Sequence, residues 1–572
     1  MLKRTRLIGV ALLACLALAS CAPASETARR DGASAPATRG PKRLIAAIQS
    51  DPSTLTNSLV ISSGQPGVPE IEEMISVGLT DLDPNGVRQA FLAEATPTLD
   101  NGLWKLFPDG RMETTWTIRP GAQWHDGTPL TTDDLLFSLE MVRDPQFVEF
   151  NNQRFALISG VDAVDSRTIT VRWTAPLIDA DGLFARGGSS AGPTLASPLP
   201  KHLLARAYQE DRAGYREWQY WTTDFVGTGP YKIKEFIRGS HLTLQANDQY
   251  LLGRPKIDEI EVKFIPDSTT RIANVLAGAV ELTIGRDVTL DQAVEARDSW
   301  REGKAEAYPG SWFGIHPQLL NPSPAVVGNL QFRQALLQAI DRQAMVDTIL
   351  HGMSSIPHAW VTPTEGQYWD IHERVPHYAF DVRRAEQLIA DQGYAKRADG
   401  FFYDAAGQRL SVELRTTGDN ASHIKAILPI ADYWQRVGVA TDPVIIPVQR
   451  QQDAEYRAIY PGFQALRGTA GTSGMQAALS SRAGLPENNF RASGNYSRLI
   501  DPAYDALYER YTRTIPLDER KQFVEQAMRF FAEQQIKMGV FYDVAVTMIS
   551  NRLTNVLPRR VAWASQTWDV VS

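Results

Sequence analysis

The chain has 572 residues, of which 43% are hydrophobic and 22% charged, and its formal net charge at pH 7 is −7. This mildly acidic balance excludes a function that depends on a basic, nucleic-acid-binding surface. Because a single hydrophobic core rarely grows beyond about 250–300 residues, the length predicts two or three domains.

The first twenty residues predict a secretory signal. Basic residues precede an apolar run at 7 to 19, and Ser20 and Cys21 follow it. The run is too short to cross a hydrocarbon layer of about 30 Å as a helix. The tetrapeptide Leu18-Ala19-Ser20-Cys21 resembles the lipobox of bacterial lipoproteins, which implies cleavage before Cys21 and lipid on that residue. A plain signal with a chance cysteine is the alternative.

Residues 21–40 predict a flexible tether. They are small, contain proline and lack apolar periodicity, and such a segment spans about 25 Å root-mean-square. The sequence KRLIAAI at 42–48 then predicts a strand. Since Cys15 leaves with the signal, the mature chain keeps only Cys21 and forms no internal disulfide.

A polar stretch at 119–140 looks at first like a metal or acid–base site. Its candidate groups are His125, Asp126, Asp133 and Asp134. Each acid has a structural use, however. Asp126 predicts a turn with the glycine after it, and Thr131 with Asp134 predicts a capping box at the start of a helix whose first turn also holds Asp133. The stretch therefore predicts scaffold, with His125 as a packed or surface residue.

Alternation of apolar and polar residues predicts strands on both sides of this helix. METTWTIRP at 112–120 alternates clearly, and a short strand is predicted at Ala122–Trp124. IDEIEVKFI at 257–265 predicts another strand, after which Asp267 caps a helix. Units of this kind predict α/β domains whose sheets are covered by helices.

Several segments resemble family 5 of the solute-binding proteins of ABC importers, the group of oligopeptide, dipeptide and nickel receptors. The most specific is WTIRPGAQWHDGTPLTTDDLLFSLE at 116–140. Others follow in the family's order, and the similarity spans about residue 44 to 550. They are VGLTDLDPNG at 77–86, FVGTGPYKIKEF at 225–236, NLQFRQALLQAIDRQAMVDTILHG at 329–352, YAFDVRRAEQLIADQGY at 378–394 and the helical segment 497–534.

The resemblance implies an α/β fold of the periplasmic-binding-protein type II kind, with two α/β lobes, a hinge and an inserted β-rich subdomain. The solute would lie between the lobes, and strands that cross between them would form the hinge. The implied boundaries are 1–20 for the signal peptide, 21–40 for the tether, 41–79 with 226–308 and 541–572 for lobe I, 80–225 for the inserted subdomain and 309–540 for lobe II.

The implied function is that of an extracytoplasmic receptor, which captures a peptide-like or other small polar solute and delivers it to ABC permease and ATPase subunits. Such a receptor is not an enzyme and needs no cofactor, metal or nucleic acid. We expect a monomer in the periplasm or at the cell surface, anchored in the bilayer by lipid on Cys21. The alternatives are a lipid-anchored secreted hydrolase, and a solute sensor or chaperone that keeps the fold without transport.

Three motifs suggest other chemistry, and the context argues against each. GSSAG at 188–192 has the form of a nucleophile elbow around Ser190, but Pro193 follows where a helix should begin. HERVPH at 372–377 places its histidines five apart with a proline between them, unlike the zincin motif. GTGP at 227–230 lacks the third glycine of a dinucleotide fingerprint.

The loop after GFQALRG (462–468) departs from the family's pattern. Peptide receptors of this family typically carry a Trp and then an Asp there, and the Asp pairs with the peptide's amino terminus. This chain has the small, hydroxyl-rich sequence TAGTSG at 469–474 instead. Because a buried ammonium without a counter-charge is costly, we expect poor binding of a free amino terminus unless another acid moves in. An insertion or deletion that only shifts a solvent loop is the alternative.

The remaining candidates for ligand contact are predicted from their position in the implied fold and not from a motif. They lie in the loop after the first strand, at the crossing into the second lobe, and at the altered loop. The predicted contacts are Ser62, Ser63, Gly64, Gln65, Ser311, Trp312, Phe313, Arg467, Thr469, Thr472 and Ser473.

Overall fold

The computed structural model describes residues 40–59, 65–147, 150, 153–186, 196–285, 288–362, 365–418, 421–450, 453–469, 471–490 and 494–571. The predicted lipidation residue Cys21, the predicted contacts Ser62, Ser63 and Gly64, and the motif around Ser190 lie outside these ranges. Residues 41–572 form one compact unit, and the lobe boundaries given above stay a prediction.

The strands of this compact unit form several sheets, and their bounds are as follows. In chain order they are β1 (Arg43–Ile48), β2 (Thr80–Leu82), β3 (Arg88–Ala90), β4 (Trp104–Leu106), β5 (Met112–Thr117), β6 (Ile158–Ala163), β7 (Thr168–Trp173), β8 (Tyr231–Ile237), β9 (His241–Ala246), β10 (Glu259–Phe264), β11 (Leu282–Thr283), β12 (Gly303–Pro317), β13 (Ala395–Lys396), β14 (Phe402–Tyr403), β15 (Ser411–Thr417), β16 (Ala440–Ile446), β17 (Phe463–Gly468), β18 (Met538–Ser550), β19 (Leu553–Thr554) and β20 (Asp569–Val570).

Helices cover these sheets, with short 3-10 segments between them. The α-helices are α1 (Val68–Ile75), α2 (Thr132–Arg143), α3 (Lys201–Glu210), α4 (Ser268–Leu276), α5 (Leu290–Ser299), α6 (Leu330–Gln338), α7 (Arg342–Ile349), α8 (Val382–Ala390), α9 (Ala421–Arg436), α10 (Ala454–Ala458), α11 (Pro502–Arg513) and α12 (Leu517–Gln534). Within the described residues, none of the helices is both long and apolar enough to span a membrane.

One ten-stranded sheet organises the molecule, in the order β16-β15-β17-β12-β18-β11-β1-β10-β9-β8. We call β8, β9, β10, β1 and β11 the first half-sheet, and β15, β16 and β17 the second half-sheet. The long antiparallel pair of β12 and β18, which we call the central ribbon, lies between them. The ribbon is irregular at Pro309/Ser311 and again at Phe313/Gly314, which bends it where the half-sheets meet.

Several predicted elements are confirmed. Strand β1 is a continuous apolar run because its parallel neighbours β10 and β11 bury it within the sheet. Helix α2 begins at the predicted capping box, in which the N–H of Thr131 donates to Asp134 Oδ2 at 3.0 Å. Asp267 caps α4 by accepting from the N–H of Thr270 at 2.7 Å.

The short strand predicted at Ala122–Trp124 is wrong. Only a single bridge, between Gln123 and Pro129, forms there. The turn at Asp126 reverses the chain within a few residues, and Pro129 has no N–H to extend a ladder. Strands β4, β5, β7 and β6 make a separate four-stranded antiparallel sheet in the region predicted to be β-rich.

Candidate functional site

The polar stretch around His125 is scaffold. Nδ1 of His125 accepts a hydrogen bond from the N–H of Gly227 at 3.1 Å, and Nε2 donates to the carbonyl of Gly229 at 3.1 Å. Burial lowers the pKa of His125 to about 4, so the ring is neutral at physiological pH. Asp126 accepts from the N–H of Thr128, as a turn residue does.

The GTGP segment is also structural. A Cβ at Gly227 would lie 2.0 Å from the carbonyl oxygen of Ile75, and one at Gly229 would meet the same backbone. Thr228 Oγ1 donates to the carbonyl of Val77 at 2.7 Å. Glycine is therefore needed here so that the segment can lie against the end of α1, not to approach a nucleotide.

Four predicted contacts lie together where β17 meets the central ribbon. Ser311 pairs in register with Asp543 of β18, and Phe313 pairs with Arg467 of β17. Arg467 Nε donates to Asp543 Oδ2 at 2.8 Å, with the arginine side chain 30% exposed and the aspartate side chain 7% exposed. The crossing therefore holds a charged pair whose arginine is open to solvent on one side.

Trp312 and Phe313 face opposite sides of the sheet because they are neighbours on one strand. Phe313 is fully buried in the core formed with α6, α7 and α9, where its ring lies 5.0 Å from that of Phe541 and 4.8 Å from that of His423. Trp312 packs on the other face with Trp360, their ring centroids 5.3 Å apart.

The altered loop is held by an acid that sequence reasoning missed. Glu365 Oε1 accepts from the N–H and from Oγ1 of Thr472, at 2.8 and 2.9 Å. Its other oxygen accepts from the N–H of Thr362 at 3.2 Å. A Cβ on Gly471, whose φ is +78°, would collide with this carboxylate. Thr469 and Ser473 are exposed beside it.

Gln65 is the one predicted contact of the first loop within the described ranges. Its Oε1 accepts from the N–H of Ser53 at 2.9 Å, and its carbonyl accepts from the N–H of Val68 as α1 begins. It therefore fixes the loop before α1, and its contact with a ligand stays a prediction.

A buried lysine beside the altered loop was also missed. Lys537, just before β18, is 6% exposed, and its Nζ lies 3.7 Å from the ring centroid of Trp312 and 4.5 Å from that of Trp360. Burial lowers its pKa well below the ordinary lysine value. The sequence signal was a single cation immediately before a long apolar strand, which a search for charged residues in buried runs would find.

HERVPH belongs to a histidine cluster rather than to a metal centre. The ring of His358 lies 3.8 Å from that of His377 and 5.1 Å from that of His372. His372 Nε2 accepts from the N–H of His358 at 3.2 Å, and His377 Nε2 donates to the carbonyl of His372 at 3.1 Å. Across the described ranges no group of His, Cys, Asp or Glu is arranged to hold a metal ion.

Comparison with known proteins gives a family match. Residues 94–482 match the family described as "Bacterial extracellular solute-binding proteins, family 5 Middle". The oligopeptide-binding protein AppA of Bacillus subtilis is 25% identical over 394 residues, which cover 69% of this chain and 67% of AppA. Heme-binding protein A of Haemophilus influenzae is 24% identical over 509 residues, covering 83% and 82% of the two chains.

Solved structures share the fold across nearly the whole chain. AppA of Bacillus subtilis in complex with a nonapeptide has a TM-score of 0.70 at 20% identity, covering 93% of this chain and 100% of AppA. The periplasmic EDTA-binding protein EppA has a TM-score of 0.76 at 17% identity, covering 93% and 97%. These similarities confirm the predicted two-lobed α/β fold.

Proposed function

The chain belongs to family 5 of the bacterial extracellular solute-binding proteins, the receptors of ABC importers, and we propose that it closes its two half-sheets around a small polar solute at the central ribbon. A ligand that contacts both sides of such a ribbon stabilises the closed form through contacts that the open form lacks. Delivery then follows when the permease and ATPase subunits recognise the closed receptor.

The observation that carries this proposal is the partly exposed pair of Arg467 and Asp543. Arg467 belongs to the second half-sheet, and Asp543 lies on the strand that continues toward the first half-sheet. The ribbon is irregular beside them, between Pro309 and Ser311. A polar solute that exchanges hydrogen bonds with this pair would sit at the bend, where a small rotation moves the half-sheets the most.

The relatives show that this fold does not fix the ligand. By their names, AppA binds oligopeptides, heme-binding protein A binds heme and EppA binds EDTA. In this chain the acid nearest the altered loop is Glu365, whose oxygens already accept from Thr472 and Thr362. An acid engaged in this way is a weak partner for a peptide ammonium, which supports a solute without a free amino terminus.

The anchor and the assembly state belong to the same proposal. Lipid on Cys21 would hold the receptor near its permease, with residues 21–40 as the tether that raises its local concentration. Several acyl chains are needed, because one chain binds a membrane only marginally. We propose a monomeric, non-catalytic receptor, and an esterase and peptidase assay with and without Ser190→Ala tests the hydrolase alternative.

Mass spectrometry under native and then denaturing conditions tests the ligand directly. The protein would start at Pro41 and be purified without refolding. We expect one bound non-peptide mass, lost in Arg467→Ala and retained in the matched control Arg436→Ala, whose side chain is 69% exposed on α9. A mixture of short peptides would show that a free amine is accepted. Empty protein would leave the receptor function standing, and a thermal-shift panel of peptides, opines, oligosaccharides and metal chelates would then search for the ligand.

A further inference from the structure

One face of the second half-sheet buries polar groups that lack partners. Trp312 and His316 lie two pleats apart on β12, and opposite them in register on β17 are Gly468 and Gln464. These side chains therefore point to the same side of the sheet. Lys537 reaches over this face from the start of β18 and ends against the indole of Trp312.

The polar atoms on this face are buried without hydrogen-bond partners in the part of the chain that the structure describes. They are Nε1 of Trp312, Nε2 of His316 and both amide atoms of Gln464. Burial lowers the pKa of Lys537, whose ammonium lies against two indole rings and forms no ion pair among the described residues. Buried polar groups are rarely left unpaired in native proteins, and a cluster of them indicates an occupant.

Space for an occupant lies beside the lysine. A small pocket, partly open to solvent, is lined by residues that include Trp312, Trp360, Phe531, Gln535 and Lys537. A Cβ on Gly468 would lie 2.0 Å from Lys537 Nζ, so the missing side chain at this position gives the ammonium its room. Gly468 follows Arg467 directly, so the lysine lies at the crossing of the strands, on the side of the sheet opposite to the Arg467 side chain.

The chemistry of the lining selects an anion. An ammonium and an indole N–H are both hydrogen-bond donors and cannot accept. A second cation would be repelled by Lys537, and a neutral group would leave its charge uncompensated. Lys537 already covers a face of Trp312, and Phe531 stacks on Trp360, so the pocket has room for the anionic group and not for a ring beside it.

We propose that this pocket receives a carboxylate of the transported solute, whose oxygens accept from Lys537 Nζ and Trp312 Nε1. The proposal rests on the receptor function and specifies its ligand class. Where peptide receptors of the family carry an acid that pairs with an amine, this chain has a small loop, and Lys537 beside it offers a buried cation that can pair with an acid.

Matched acids and amides test the pocket on residues 41–572. The probes are benzoate with benzamide, indole-3-acetate with indole-3-acetamide, and glutarate with glutaramide. We expect at least one acid to raise the melting temperature and its amide to leave it unchanged. Amides that act equally, or acids that all have no effect, would overturn the proposal without any variant.

Three variants locate the effect. Lys537→Met should weaken binding of the active acid at least tenfold, whereas Lys537→Arg keeps the charge and should retain most of it. The exposed Lys105→Met on β4 is the matched control and should bind as the unaltered protein does. Unchanged acid affinity in Lys537→Met would overturn the proposal.

The bound solute separates this proposal from the receptor function. A solute that co-purifies equally with the unaltered protein and with Lys537→Met leaves the receptor function standing and refutes the pocket. A solute lost only from Lys537→Met, and carrying an acid group by its mass and fragmentation, supports both.

Discussion

Two regions of the molecule bury a histidine among polar neighbours, and they differ in what those neighbours do. Around His125 both ring nitrogens are paired with the backbone of the 227–229 segment. Around His316 the ring nitrogen Nε2, the amide of Gln464 and the indole N–H of Trp312 are unpaired within the described ranges. The lesson is that the polarity of a buried cluster does not by itself mark a site, and that the partners of each polar atom must be compared.

Replacement of His125 should have the largest effect and should act on folding alone. His125→Phe removes the acceptor of the buried N–H of Gly227, whereas the carbonyl of Gly229 still accepts from Asn247 Nδ2 at 3.2 Å. One such unpaired group costs about 1–3 kcal/mol, so we expect the free energy of unfolding to fall by about 2 kcal/mol. Urea denaturation measures this, with the exposed His351→Ala as the control. A loss of solute binding in folded His125→Phe would contradict the scaffold role.

The affinity of the protein for the acid probe should depend on pH, because the probe binds beside Lys537, whose charge changes with pH. Burial lowers the pKa of Lys537, and a bound carboxylate would raise it again, so binding takes up a proton. Affinity should be constant below the lowered pKa and should then fall about tenfold per pH unit as the pH rises toward the pKa of the complex. Calorimetry of the active acid at pH 6 to 9 would detect this.

The other titratable groups that face Lys537 should not add to the fall of affinity with pH. Burial lowers the pKa of His316 well below its ordinary value and that of His358 to about 3, so both rings are neutral. It lowers the pKa of Arg342 to about 10 and raises that of Tyr378, so both keep one charge state near neutrality. Affinity that is independent of pH would mean that Lys537 is not the group that binds the acid.

The smallest expected effect is on the stability of the empty protein. Replacement of Lys537 should stabilise it, whereas replacement of His125 should destabilise it. Without solute, Lys537→Met removes a buried cation that lacks a counter-charge and fills the same space with apolar atoms. We expect the free energy of unfolding to rise by about 1 kcal/mol. Thermal and urea denaturation of the empty protein measure it. Destabilisation comparable to that of His125→Phe would show that the lysine serves the fold.

Much of the fold could be predicted from the sequence because its signals are local. The capping box at Thr131, the cap at Asp267 and the apolar run of β1 each depend on neighbours a few residues away. The order of the ten strands was not predicted, because no local pattern specifies which strands pair. The prediction of a short strand at Ala122–Trp124 was wrong because the tight turn that follows limits how many residues can pair, whatever their strand propensity.

Only those residues of the candidate site that are close together in sequence could be predicted. Arg467 and Thr472 were selected because they flank the altered loop. Glu365 and Lys537 come from segments far away in sequence, and the sheet brings them to that loop. Their roles depend on desolvation and on missing partners, which are properties of the folded state and leave no pattern in the sequence.

The place of β18 in the sheet also bears on how the protein is made. Its residue Ile549 pairs with Leu282 of β11, and its residue Ser550 pairs with Gly303 of β12. A nascent chain therefore cannot complete the ribbon until residues 538–550 have been synthesised, however early the first half-sheet forms. Closing the ribbon then joins residues about 250 positions apart, a slow step that leaves strand edges exposed in the meantime. Biogenesis of this receptor should thus depend on factors that shield unpaired strands until its last segment arrives.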